Sequence, residues 1–80
     1  MGIEYNIRYH PHDRAAWEAF VARLENPVLP GGWPAFTVEL SDEGVYFCDN
    51  CGPREPVAMA LYQILDEALL KGGPVVIEEL

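Results

Sequence analysis

Basic residues are scarce in this 80-residue chain: five Lys and Arg stand against thirteen Asp and Glu, a net charge of −8. A field of that sign repels phosphate backbones and anionic lipid. It argues against direct nucleic-acid or membrane-surface binding and favours a protein partner with a basic surface. Long apolar runs are missing too. No N-terminal apolar stretch follows a basic segment, and none approaches the roughly 20 residues that a spanning helix needs. A cytoplasmic location is therefore expected. Cysteine is limited to Cys48 and Cys51, which is too little for the framework of a secreted disulfide scaffold. No nucleophile–base pair, phosphate loop or closed metal set is present, so the expectation is a non-enzyme.

The chain does contain the material for one core. Half of its residues are apolar and 11% are aromatic. A domain of this size buries only about 60% of the surface its unfolded form exposes, so all of residues 1–80 must serve a single domain. The charge is unevenly placed. Residues 1–34 carry four acids and three bases, and residues 35–80 carry nine acids and two bases.

Ile3, Tyr5, Ile7 and Tyr9 alternate with Glu4, Asn6, Arg8 and His10, and a period of two reads as a half-buried strand. Asp13 can cap a helix in which Trp17, Phe20, Val21 and Leu24 form one stripe, predicting a helix over Arg14 to Glu25. Asn26 to Pro34 holds three prolines and two glycines and reads as the longest loop, presenting Leu29 and Trp33. Phe36 to Leu40 and Val45 to Cys48 flank Ser-Asp-Glu-Gly turn chemistry and form a hairpin. Pro56 is suited to the first position of a second helix whose stripe is Val57, Leu61, Ile64, Leu65, Ala68 and Leu69, ended by Gly72-Gly73-Pro74. Val75 to Leu80 suits a short edge strand whose glutamates discourage further pairing.

The order β-α-β-β-α-β predicts an α+β, two-layer sandwich of the ferredoxin-like, split βαβ type. Its four-stranded sheet, in order 4-1-3-2, would carry both helices on one face. The alternative is a βαββα core with a loosely attached or partner-completing last strand.

Cys48-Asp-Asn-Cys51-Gly52 is the sharpest local motif, because two thiols at this spacing around a turn can reach one zinc ion. His10 and His12 would be the natural other half. In the expected topology they lie at the opposite end of the sheet, roughly 17–20 Å away, which excludes an intrachain site. Two copies of the cysteine pair could still complete a four-thiolate site across a homodimer. A redox reading needs a helix N-terminus beside Cys48, and four residues separate Cys51 from the helix while Asp49 opposes a thiolate. A third reading has Cys48 packing as a small apolar residue and Cys51 idle in a turn. No cofactor is expected, zinc being the alternative.

His10-Pro11-His12-Asp13 resembles acid–base machinery, yet a strand-to-helix turn with a capping Asp accounts for it. The sheet face away from the helices should display Glu4, Asn6, Arg8, Thr37, Glu39, Tyr46, Cys48 and Val76 or Glu78. An RNA-binding sheet needs several stacking aromatics in basic surroundings. This face offers Tyr46 alone among carboxylates. Trp33 is either an interface anchor or folded over the core between the first helix and the second strand.

The resulting expectation is a small acidic protein-interaction domain. It shares size and charge with inhibitors, immunity-type proteins and phage-encoded binders of basic enzymes. Trp33, Glu39, Asp42, Glu43 and Tyr46 are its candidate partner-binding residues. The alternative is a small zinc or thiol module built on Cys48 and Cys51, acting as a dimer.

Overall fold

A computed structural model describes residues 3–9, 13–71 and 74–80. The chain runs β1 (Ile3–Arg8), α1 (Arg14–Ala22), β2 (Phe36–Leu40), β3 (Gly44–Asp49), α2 (Arg54–Leu70) and β4 (Val76–Glu79). The strands form one open sheet in the order β2-β3-β1-β4, with every neighbouring pair antiparallel. With two helices this is an α+β architecture. No described helix is long and apolar enough to cross a membrane.

Register follows from the period of two. Ile7 lies opposite Val45 on one side and Ile77 on the other, and Tyr5 and Val38 both lie opposite Phe47. Cross-strand partners share a face, so these side chains form one apolar layer. The buried residues of both helices, Trp17 from α1 and Val57, Ala60, Ile64 and Ala68 from α2, join the same cluster. Phe36 and Phe47 stack at 5.3 Å, and Trp17 lies 4.6 Å from the Tyr9 ring and edge-on to Phe20 at 5.4 Å. Fully burying each such side chain is worth about 1.5–3 kcal/mol relative to exposing it. Among the described residues the only polar side-chain atoms carried into this core are those of the aromatic residues Tyr9 and Trp17.

Asp13 caps α1 as expected, its carboxylate accepting from the Ala16 amide at 3.0 Å. The helix stops at Ala22, three residues before the predicted Glu25. Arg23 and Leu24 instead donate to Phe20 and Val21 in a tightened last turn, because Pro27 disfavours the α conformation at Asn26. The side chain of Asn26 is also drawn off to β2. The second helix starts at Arg54, two residues before Pro56, with Pro53 at its cap. A proline in the first turn costs no hydrogen bond, since those amides have no intrahelical acceptor. Gly72 and Gly73, expected to stop this helix, lie outside the described residues, as do His10, Pro11 and His12.

Gly44 opens β3 with φ +149°, and a Cβ there would collide with the Ile7 carbonyl oxygen. At Gly52 a Cβ would sit 2.7 Å from the Ala35 Cβ. Glycine thus lets the hairpin and the β3–α2 turn approach their neighbours closely.

Candidate functional site

The residues expected on the uncovered sheet face do share it. Glu78, Asn6, Tyr46 and Glu39 form one row across all four strands, and Glu4, Cys48 and Thr37 form the next. Arg8 pairs with Glu78 at 2.6 Å. The Tyr46 hydroxyl donates to Glu4 at 2.6 Å. That bond to a carboxylate, with desolvation and Cys48 adding to it, raises the Tyr46 pKa above its ordinary value of 10.0. Tyr46 therefore holds β3 to β1 as a hydrogen-bond donor on the uncovered polar face.

The other candidate residues stand apart from this row. Asp42 and Glu43 occupy the β2–β3 turn, where the Ser41 hydroxyl accepts from the Glu43 and Gly44 amides at 3.3 and 3.2 Å. Trp33 precedes β2 at its far end, so the five residues of β2, roughly 17 Å of strand, lie between them. Trp33 and the turn carboxylates are thus separate surface features, linked by Glu39 and Tyr46 along the hairpin.

The two tryptophans differ sharply in burial: Trp17 is 2% exposed and Trp33 is 68% exposed. The loop before β2 folds on itself, with Leu29 donating to the Trp33 carbonyl at 2.6 Å and Ala35 to the Pro27 carbonyl at 2.8 Å. Gly31 and Gly32 supply the positive φ angles of its tip. Leu29, half-buried, is the side chain that packs on the core. Trp33 and Val28 face outward.

The Cys48–Cys51 turn has a structural explanation in its two middle residues. Asp49 accepts from the Cys51 amide at 2.9 Å, an Asx turn that accommodates φ +65° at Cys51. Asn50 donates to the Pro34 carbonyl at 3.1 Å and the Thr37 hydroxyl at 2.9 Å, and accepts from the half-buried Cys48 thiol at 3.3 Å. Asp and Asn between the cysteines are thus turn and loop fasteners. Among the described residues no group of three or more His, Cys, Asp and Glu side chains is placed to hold a metal ion. The antiparallel β1–β3 register sets Ile3 opposite Asp49 and Arg8 opposite Gly44. The Cys48 end of the sheet is therefore the end at which β1 begins.

Asn26 is a residue whose part is not legible locally. Its side-chain amide donates to the Phe36 carbonyl at 2.8 Å and accepts from the Phe36 amide at 3.2 Å, as a neighbouring strand would. A second unforeseen feature is a pair of buried polar atoms, Tyr9 Oη and Trp17 Nε1, without hydrogen-bond partners among the described residues. Burial pushes the Tyr9 hydroxyl's pKa above its usual range. Beside Trp17 lies a hollow of about 110 Å³ bounded by Arg14, Leu40, Ser41, Asp42 and Gly44. No family model, curated protein or solved structure matches the chain.

Proposed function

We propose that the chain is a non-enzymatic, cytoplasmic protein-interaction domain that uses its acidic surface to attract a basic partner, in the manner of small inhibitor or immunity-type binders. The observation that carries this reading is the placement of charge: none of the acidic side chains is buried, so the whole excess of −8 acts on the solvent. Fields of this strength raise association rates with oppositely charged proteins. The exposed Trp33, on a loop already closed by hydrogen bonds, supports the reading as an apolar anchor that loses little entropy on binding. Glu39, Asp42, Glu43 and Tyr46 add further contacts along the hairpin, apart from Trp33. The architecture is read as the ferredoxin-like, split βαβ sandwich, supported by the neighbour order β4-β1-β3-β2 when the sheet is followed from its last strand.

The test is to identify the partner by affinity capture and then measure association by stopped flow across salt concentrations. The on-rate should fall by about tenfold or more as screening increases. Reversing Glu39, Asp42 and Glu43 to Lys should lower it at low salt, and Trp33→Ala should raise the off-rate. An on-rate indifferent to both salt and charge reversal removes the reading.

A further inference from the structure

The outer side of β4 carries no strand among the described residues. The Leu80 amide donates to the Glu4 carbonyl at 2.8 Å. Antiparallel alternation then turns the backbone groups of Val76, Glu78 and Leu80 toward β1 and those of Ile77 and Glu79 outward. At the opposite edge, the outward groups of Phe36 are taken by Asn26, and the Leu40 carbonyl accepts from Arg14 at 3.4 Å. The β2 edge is thus covered at Phe36 and at the Leu40 carbonyl, whereas the outward groups of Ile77 and Glu79 on β4 meet no strand among the described residues.

Ile77 shares a face with Ile7 yet is 47% exposed. Glu79, next but one along the strand, lies on that same face and makes no ion pair among the described residues, whereas Glu78 on the other face is held by Arg8 at 2.6 Å.

We propose that the outer edge of β4 binds an extended segment of a partner protein as an added strand, selecting a sequence in which an apolar residue packs on Ile77 and a Lys or Arg two positions away, on the same face of the added strand, faces Glu79. Backbone bonds to Ile77 and Glu79 supply affinity, and the two side chains supply the sequence preference. This inference rests on the basic-partner reading above. A second copy of the chain is disfavoured by charge. Two-fold pairing centred on Glu78 or on Glu79 sets like carboxylates directly opposite each other. Pairing centred on Ile77 avoids that, but it still joins two chains of net charge −8.

The experiment titrates the full chain with a labelled synthetic peptide of about ten residues, a length suited to one strand, repeating Val-Thr-Lys-Thr so that valine and lysine alternate along one face. Fluorescence anisotropy reads affinity, and amide hydrogen exchange reads the site. Binding should slow exchange at Ile77 and Glu79. Ile77→Pro removes an outward N–H that β1 does not use, and should weaken binding by about tenfold or more. Glu79→Lys, an exposed change that leaves the fold intact, should weaken it by about fivefold. Equal binding of a peptide with glutamate at the basic positions overturns the proposal, as does indifference to both substitutions. Dimer formation by the protein alone, with the same two amides slowed, would assign the edge to a second copy and also overturn it. If the captured partner binds in a salt-dependent way through Trp33 while exchange at Ile77 and Glu79 is unchanged, the edge inference fails and the basic-partner reading stands.

Discussion

Each edge of the sheet ends in a short strand, but the two are attached differently. β2 sinks Phe36 into the core at 1% exposure, stacks it on Phe47, and has its outer backbone covered at Phe36 by Asn26. β4 buries none of its four residues and is joined to the molecule through its ladder with β1 and the Arg8–Glu78 pair. Exposed ion pairs are worth well under about 1 kcal/mol. Attachment by core burial makes β2 part of the structural unit. β4 gains its place chiefly from backbone bonds and is the element whose stability an added partner would raise most.

Phe36→Ala tests this contrast most severely. It should cost about 3–5 kcal/mol in denaturant unfolding, while Ile77→Ala should cost less than about 1 kcal/mol. Comparable losses would remove the distinction between the edges. Asn26→Ala comes next: it uncovers both backbone groups of Phe36 and should cost about 1–3 kcal/mol, with faster exchange of the Phe36 amide and little change at β4. Exchange at Phe36 as fast as at Ile77 in the unmodified chain would show that the side chain does not cover that edge.

The smallest effect concerns Tyr46, whose hydroxyl ties the two inner strands together at Glu4. Its pKa is raised in the folded chain, so the bond's contribution is complete below about pH 10 and is lost as the pH climbs above it. Tyr46→Phe should flatten the alkaline decline in melting temperature above about pH 10. The buried Tyr9 hydroxyl shifts in the same direction, so part of the decline should persist in the variant. A decline of unchanged steepness would count against the Glu4–Tyr46 bond.

Much of this molecule is legible from periodicity. The alternation of Ile3 to Tyr9 and of Phe36 to Leu40 separates an apolar layer from a polar face of Glu4, Asn6, Thr37 and Glu39, because a strand's side chains alternate whatever lies beyond it. Helix ends are less legible: α1 ends before Glu25, next to Pro27, and the Asn26 side chain that follows is held by β2, ten residues away in sequence. The zinc-like look of Cys48-Asp-Asn-Cys51 illustrates the same limit. Asp49 and Asn50 act as turn and loop fasteners, and Asn50 reaches Pro34 and Thr37 only once the chain has folded.

The amino-acid sequence by itself determined the acidity, the strands, the helices and which residues lie on each sheet face, since composition and side-chain period are local properties. Tertiary structure alone decided that Trp33 is displayed rather than folded over the core. It also separated Trp33 from the Asp42–Glu43 turn and covered the β2 edge at Phe36, while the outer side of β4 carries no strand among the described residues. Each of these depends on which distant segment supplies cover or a hydrogen-bond partner, and no local pattern specifies that.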